Sequence, residues 1–201
     1  MGFDPDRHRR RSVRLKGHDY ADPGAYFVTM CTRDRACLFG HVVNGDMHLD
    51  EAGEIAQRCR EDIPHHFPHA ALDAMAIMPN HVHGVIVITE PPPTPPGKGE
   101  ASVPPDTSED LSGSHASPLR QRPIGTQPGS LSAIVQNSKS ISTRKINAAR
   151  SAPGTPLWLR NYYEHVVRND AELMAIRDYI LSNPARWDDD ENNPLFLDWS
   201  C

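Results

Sequence analysis

Two histidines separated by one residue begin the most apolar β-type segment of the chain, His81–Val82–His83 in HVHGVIVIT. Alternate side chains of a strand point to the same face of a sheet, so both imidazoles would project side by side. Imidazole nitrogens are common ligands of divalent metals. The spacing therefore predicts two ligands of a metal site. Two solvated or hydrogen-bonded histidines remain the alternative, because the chain contains 11 histidines.

A tyrosine and an asparagine share one face of the last predicted helix, because Tyr179 and Asn183 are four residues apart. A phenol at this position could attack an electrophile, while the amide oxygen of Asn183 could reach the same metal. The alternative is that Tyr179 is an amphipathic core residue and that Asn183 caps the helix before Pro184. The residues alone leave both interpretations open.

Basic residues are concentrated in two stretches, although the net charge is −5. The N-terminal arm is one of them, and the segment from Ser117 to Arg168 has eight Lys or Arg against one acid, Glu164. Phosphates of a nucleic acid require such cations, and aromatic rings can stack on its bases. A solvated basic surface is the alternative. The residues predicted to contact DNA are Lys139, Arg144, Lys145, Arg160, Tyr162, Tyr163, His165 and Arg168.

Strand patterns dominate the first half of the chain and must position the histidines. Asn44–Gly45 supplies the two positive-φ positions of a tight turn within the hairpin His41–Leu49. Pro79–Asn80 separates the last two strands and predicts that they are antiparallel neighbours. The other predicted strands are Tyr26–Thr32, Leu72–Met78 and His81–Thr89.

Three helices are predicted from apolar spacing and capping residues. The first is capped by Asp50, runs to about Asp62 and is ended by Pro64 and Pro68. The second covers Leu131–Asn147. The third begins at Asn169 or Asp170, with Glu172 completing a capping box, and stops at Pro184. The segment Trp158–Arg168 is predicted to be a strand or extended.

Runs of antiparallel strands with few helices predict an α+β fold, a central sheet with helices packed on one face. We expect a flexible basic arm at 1–20, one domain at 21–187 and an acidic tail at 188–201. A Pro/Ser/Gly-rich insertion at about 90–130 is predicted to be disordered. The four cysteines form no CxxC pair and are expected to be reduced thiols.

The chain contains no run of about 18 apolar residues and no secretory signal pattern, so we expect a cytoplasmic protein with no membrane partner. Three other classes of protein are disfavoured because their motifs are missing. A histidine-triad hydrolase requires HxHxH, and position 85 is Val85. Neither an HExxH zinc motif nor a helix-turn-helix pattern is evident.

Four blocks occur in an order that resembles the REP-associated tyrosine transposases, relatives of the single-tyrosine HUH transposases of small insertion sequences. The blocks are PNHVHGVIV, GSLSAIVQNSKSISTRKIN, WLRNYYEHVVRND and IRDYILSNPARW. The resemblance extends from about Gly24 to Trp187. One departure is Ser138, where relatives often carry an aromatic residue.

The resemblance implies a ferredoxin-like fold and an enzyme that cuts and rejoins single-stranded DNA bearing a hairpin. It implies that His81 and His83 bind a divalent metal, Mg²⁺ or Mn²⁺, and that Asn183 is a polar third ligand. Tyr179 would be the nucleophile that forms a 5′-phosphotyrosine. The alternative is a domesticated relative that binds hairpin DNA without cutting it. The sequence leaves open whether the protein is a monomer or a homodimer.

Overall fold

Four antiparallel strands form the central sheet of the structure, a computed structural model that describes residue 15 and residues 17–90 and 126–194. The strand order is β4-β5-β1-β6, with β1 Gly24–Cys31, β4 Ala70–Met78, β5 His81–Ile88 and β6 Tyr163–Val167. A separate hairpin consists of β2 Gly40–Val43 and β3 Asp46–Leu49. The helices are α1 Glu51–Glu61, α2 Ile63–His66, α3 Leu131–Ala149 and α4 Asp170–Ser182, and 3₁₀ turns cover Arg33–Arg35 and Pro184–Asp189.

The strand that carries the two histidines, β5, pairs along its whole length with β1. On its other side it pairs with β4, from Ala70 opposite Ile88 to Met78 opposite His81. The predicted antiparallel relation of β4 and β5 is therefore confirmed, and Pro79–Asn80 forms the connection. Because both edges of β5 are hydrogen-bonded, its side chains have no freedom to change face.

Both faces of the sheet are covered by helices. Tyr26, Val28 and Met30 face α1 and α3, whereas Phe27 and Val85 face Ile176 and Ile180 of α4. The α+β class and the central antiparallel sheet are confirmed. The prediction that all helices pack on one face of the sheet is wrong for α4. Helices α1 and α3 share one face, and α4 lies on the opposite face. The physical reason is that β5 is apolar on both sides, so each side needs a cover.

Local turn and cap chemistry follows the sequence closely. Asn44 and Gly45 adopt φ values of 54° and 83°, which is the predicted turn of the β2–β3 hairpin. Asp50 caps α1 by accepting a hydrogen bond from Gly53 N at 2.9 Å. Pro64 behaves differently from the expectation, because it lies in the first turn of α2 rather than ending the helical segment.

Helix α4 begins at an asparagine cap and is joined to β4 by an ion pair. Asn169 accepts from Glu172 N at 2.9 Å and caps the helix, but the Glu172 carboxylate accepts from Arg168 N instead of closing a capping box. Arg177 makes two parallel hydrogen bonds to Asp73 of β4, at 2.8 and 2.6 Å. This bidentate pair fixes α4 over the strand next to β5.

The two ends of the predicted insertion meet at a single histidine. The His69 carbonyl accepts from Thr89 N at 2.7 Å, and His69 Nε2 lies 2.8 Å from the Gly129 carbonyl oxygen. The Gly129 end leads directly into α3, whose cap Ser130 accepts from Ala133 N. The predicted arm at 1–20 and the predicted disorder at 90–130 fall largely outside the described residues.

Cys31, Cys37 and Cys59 form no disulfide within the described part of the chain. In residues 17–90 and 126–194, every helix is too short or too polar to cross a membrane.

A buried arginine occupies the side of β5 opposite the histidine side chains. Arg60 of α1 is 2% exposed, and its Nε and Nη2 atoms have no hydrogen-bond partner. Its guanidinium lies against Gly84, where a Cβ atom would come within 1.8 Å of Nη2. Any larger residue at position 84 would therefore require the Arg60 guanidinium to move. Burial lowers the pKa of Arg60 to about 10.

We expect Arg60→Met to stabilise the fold by about 1–3 kcal/mol, because it removes a buried, unpaired cation while keeping most of the side-chain volume. Urea unfolding of the variant and the wild type measures the difference. Arg58→Met is the control, since Arg58 is exposed and its guanidinium forms an ion pair with Glu54 at 3.5 Å. A loss of stability in Arg60→Met beyond that of Arg58→Met would contradict the expectation.

We expect Asp73→Asn to lower the unfolding midpoint at neutral pH. The hydrogen bond from Arg177 holds the pKa of Asp73 below its usual value. A carboxylate with a depressed folded-state pKa stabilises the fold above its unfolded-state pKa and loses that effect as the pH falls through the folded-state pKa. Denaturation at a series of pH values should show wild type and variant converging in acid. A difference in unfolding midpoint that stayed constant down to the lowest pH would argue against a stabilising ion pair between Asp73 and Arg177.

Candidate metal centre and nucleophile

The two predicted metal ligands lie side by side on the face of β5 that α4 covers. His81 is 0% exposed and His83 is 2% exposed. Their ring centroids are 4.4 Å apart. The alternation of the strand sends Val82 to the other face, into the core beneath α1 and α3. The geometry that the His81–Val82–His83 spacing predicts is therefore present.

Each imidazole uses its Nδ1 atom for a contact within the protein. His81 Nδ1 is 2.9 Å from Asn80 Oδ1, and His83 Nδ1 is 2.8 Å from Thr29 Oγ1. The Nε2 atom of His81 is buried and has no hydrogen-bond partner. Ligating histidines usually have this arrangement, in which one ring nitrogen is held by the protein and the other carries the lone pair for the metal.

Two oxygen donors face the imidazoles. Asp190 Oδ2 lies 3.8 Å from His81 Nε2, and the ligand atoms of His81, His83 and Asp190 all lie within 4.8 Å of one another. The Oδ1 atom of Asn183 is buried without a hydrogen-bond partner, and its amide adjoins both His81 and Tyr179. Unsatisfied buried nitrogen and oxygen atoms that converge on one point fit a cation, which supplies the missing partner.

Burial keeps the two imidazoles neutral. Loss of solvent lowers the pKa of His81 to about 4, although the Asp190 carboxylate and the Asn183 amide act in the opposite direction. Burial also lowers the pKa of His83, and the neighbouring His81 and Arg60 lower it further. A neutral imidazole has a free lone pair, so both rings are in the form that binds a metal at neutral pH.

The tyrosine that sequence analysis singled out lies beside His83. Tyr179 Oη is 3.5 Å from His83 Nε2, and the ring centroids are 5.3 Å apart. The same ring packs edge-on against Phe27. Burial raises the pKa of Tyr179, and the charges of Asp190 and Glu191 raise it further, while Arg186 and Asn183 oppose them. The phenol is therefore protonated in the absence of a cation.

Asp190 was not among the residues predicted for the site. It belongs to residues 187–193, which we call the C-terminal strap, and all of the strap after Trp187 was predicted to be part of an acidic tail. Trp187 is buried, with its ring 6.1 Å from that of His81, and Arg35 Nη1 donates to the Glu191 carbonyl at 2.8 Å. Asp190 is one of four consecutive acids, 188–191, and no spacing rule distinguishes it from its neighbours.

The residues predicted to contact DNA divide between the two faces of the sheet. Tyr163 and His165 point to the α4 face, where Tyr163 packs against Phe27 and His165 Nε2 lies 2.9 Å from Glu172 Oε1. Arg168 is exposed at the end of β6. These three residues therefore lie on or next to the face that carries Tyr179.

The other candidates lie on or near α3, on the opposite face. Lys139 donates to the carbonyls of Leu159 and Asn161, at 2.9 and 3.0 Å, and burial lowers its pKa to about 8. Its ammonium thus already holds the segment that precedes β6. Tyr162 Oη lies 3.1 Å from Ser132 Oγ, Lys145 is 3.7 Å from Asp62, and Arg144 and Arg160 are exposed.

No protein-family model matches this chain, but solved structures are similar to it, including the following two. One is a REP-associated tyrosine transposase bound to a REP hairpin, with a TM-score of 0.49, 16% identity, and coverage of 84% of this chain and 71% of that one. The other is a protein from Deinococcus radiodurans whose assignment as a transposase is provisional. Its TM-score is 0.42 at 17% identity, over 83% of this chain and 95% of that one.

An uncharacterized protein from Haemophilus influenzae is 36% identical to this chain over 191 residues, which is 95% of each protein. Identity at this level across almost the whole of both sequences leaves no major segment of either chain unmatched. The chain therefore belongs to the same protein family as the Haemophilus influenzae protein.

Proposed function

We propose that this protein is a metal-dependent tyrosine transposase that cuts and rejoins single-stranded DNA. One observation carries the proposal: the Tyr179 hydroxyl lies 3.5 Å from His83 Nε2, beside a converging set of nitrogen and oxygen donors. A nucleophile and a metal site are the two components that strand transfer through a covalent intermediate requires. In this chain they come from β5 and α4, the elements that the sequence resemblance singles out.

The residues that would hold the metal are His81, His83, Asn183 and Asp190. Two imidazole nitrogens and two oxygens suit Mn²⁺. Mg²⁺ is the alternative, although it is a harder cation that prefers oxygen ligands. The ligands expected from the sequence, two imidazoles and an amide, carry no charge. The Asp190 carboxylate adds one negative charge to this set. When bound, the metal would polarise the scissile phosphate and stabilise the departing oxygen.

Tyr179 supplies the nucleophile. Its phenolic oxygen forms a bond to the phosphorus of the scissile phosphodiester, and the bond from phosphorus to the 3′ oxygen breaks. The phenol releases its proton to solvent, and the leaving 3′ oxygen takes one up. The product is a 5′-phosphotyrosine, so attack by a free 3′-hydroxyl reverses the step and rejoins DNA without an external energy source.

The surroundings of Tyr179 explain why it would act only in an assembled site. Packing against Phe27 and His83 limits the orientations of the ring, so the hydroxyl is directed toward the donor cluster. Burial and the acids of the strap hold the phenol in its protonated form. Positive charge brought to the cluster favours the phenolate, which is the attacking species.

Single-stranded DNA bearing a hairpin is the proposed substrate, as the sequence resemblance implies. Tyr163, His165 and Arg168 lie on or next to the face that carries Tyr179, and they are the proposed contacts for the strand near the cleaved bond. The basic residues Arg144, Lys145 and Arg160 lie away from that face and would contact a more distant part of the DNA, such as the hairpin stem.

We expect Asp190→Asn to weaken Mn²⁺ binding by at least about tenfold, because even outer-shell changes at metal sites commonly cost that much. The electron paramagnetic resonance signal of free Mn²⁺ during titration gives the affinity directly. Asp188→Asn is the matched control, since Asp188 is exposed and lies two residues away. Equal affinities for the wild type and Asp190→Asn would show that the carboxylate is not a ligand.

We expect Tyr179→Phe to abolish the covalent protein–DNA adduct, because it removes only the attacking oxygen. Labelled single-stranded DNA carrying the hairpin repeats that flank the gene is incubated with the protein and Mn²⁺ or Mg²⁺. A denaturing gel then resolves cut DNA from adduct. Tyr26→Phe is the control, since the Tyr26 hydroxyl donates to the Asp22 carbonyl on the other face of the sheet.

Each outcome of this assay assigns a role. An adduct with wild type and Tyr26→Phe but not with Tyr179→Phe supports the proposal. Equal cutting by all three proteins without an adduct would make water the attacker and Tyr179 structural. Binding of the hairpin by all three proteins without cutting would favour the non-cleaving DNA-binding protein.

A further inference from the structure

The asparagine that precedes His81 makes hydrogen bonds to three separate parts of the chain. Asn80 is 0% exposed. Its Nδ2 donates to the carbonyl of Arg35 at 3.0 Å and to the carbonyl of Asn192 at 2.7 Å. Its Oδ1 lies 2.9 Å from His81 Nδ1. Both polar atoms of this side chain are therefore used in hydrogen bonds within the protein.

These partners allow only one orientation of the Asn80 amide. Backbone carbonyl oxygens accept hydrogen bonds and cannot donate them, so the side-chain NH₂ must face Arg35 and Asn192. The oxygen of the amide then faces His81. An amide oxygen also only accepts, so the proton of this hydrogen bond belongs to His81 Nδ1. The His81 lone pair consequently lies on Nε2, the atom that points toward Asp190.

The same side chain holds the strap that carries Asp190. Asn192, whose carbonyl accepts from Asn80, donates to Asp190 Oδ1 through its backbone N at 2.6 Å and its side-chain Nδ2 at 3.0 Å. Asp190 Oδ2 remains to face His81 Nε2 at 3.8 Å. A continuous chain of hydrogen bonds thus runs from His81 through Asn80 and Asn192 to Asp190. Its two ends are His81 Nε2 and Asp190 Oδ2, which are not hydrogen-bonded to each other.

We propose that Asn80 is a positioning residue that sets His81 and Asp190 together as ligands, one from β5 and one from the strap. This deepens the proposed function and rests on the metal site which that function requires. A single buried amide fixes the tautomer of one ligand and the location of the other. A strap that moved away would break the Asn80–Asn192 hydrogen bond.

The second histidine shows by contrast what the amide adds. His83 Nδ1 contacts the hydroxyl of Thr29, which can donate or accept a hydrogen bond. That contact orients the ring but is compatible with both tautomers of His83. The Asn80 contact does determine which nitrogen of His81 carries the proton, because the amide nitrogen of Asn80 already donates to two carbonyls and only its oxygen can face His81.

The test measures the tautomer of His81 and the closure of the strap in metal-free protein. Long-range ¹H–¹⁵N spectra of histidine-labelled protein at neutral pH report which ring nitrogen is protonated. Asn193 is 4% exposed and its amide donates to the Asp190 carbonyl at 2.8 Å, so hydrogen exchange at this amide reports whether the strap stays packed against the protein. Titration with Mn²⁺ adds the affinity.

We expect wild-type His81 to be protonated on Nδ1 alone. Asn80→Ala should populate both tautomers, accelerate exchange at Asn193 and weaken Mn²⁺ binding by about 10–100-fold. Asn80→Asp separates the two roles. Its carboxylate still accepts from His81 Nδ1 but cannot donate to the two carbonyls, so the tautomer should persist while exchange at Asn193 accelerates.

Asn147→Ala is the matched control for loss of a buried amide. Asn147 is 6% exposed and donates to the Thr155 carbonyl at 2.7 Å, on α3 and away from the site. It should lower stability without altering the His81 tautomer, exchange at Asn193 or Mn²⁺ affinity. If Asn80→Ala does not fold, the wild-type tautomer and the isosteric Asn80→Asp variant still decide the question.

Protonation of wild-type His81 on Nε2 would overturn the proposal. Unchanged exchange at Asn193 in both Asn80 variants would also overturn it. None of these measurements involves DNA. Absence of strand cleavage with the expected tautomer, exchange and Mn²⁺ results would therefore refute the proposed function and leave the role of Asn80 intact.

Discussion

The antiparallel pairing of β5 with β1 on one side and with β4 on the other is the constraint on which the site depends. It fixes which side chains of β5 point toward α4, and a shift of one residue would exchange His81 and His83 for Val82 and Gly84. Each histidine also receives its Nδ1 partner from an element next to β5. Thr29, the partner of His83, lies opposite it on β1. Asn80, the partner of His81, lies in the turn between β4 and β5.

The site was predictable wherever its geometry is set by local periodicity. Alternation along β5 places His81 and His83 on one face, and helical spacing places Tyr179 and Asn183 on one face of α4. What the sequence could not show is which face of the sheet α4 would cover. That choice depends on the apolar character of β5 on both sides and on the contact between Arg177 and Asp73, which are 104 residues apart.

Asp190 illustrates the limit more sharply. Its position results from the burial of Trp187 and from hydrogen bonds that link the strap to Arg35 and Asn80, and all of these are tertiary contacts. A run of four acids ordinarily indicates a solvated surface. Here one member of the run faces inward while Asp188 and Asp189 are exposed. Residue type alone does not distinguish them.

The two ends of the segment between Thr89 and Gly129 are both held by His69, so the point where the chain leaves β5 lies close to the point where it enters α3. The entropy of closing a loop whose ends are already together grows only slowly with its length. Residues can therefore be gained or lost in this segment over evolution at little cost to α3 or to β5. The segment is a place where members of this family can diverge in length while the histidines and the tyrosine keep their relative positions.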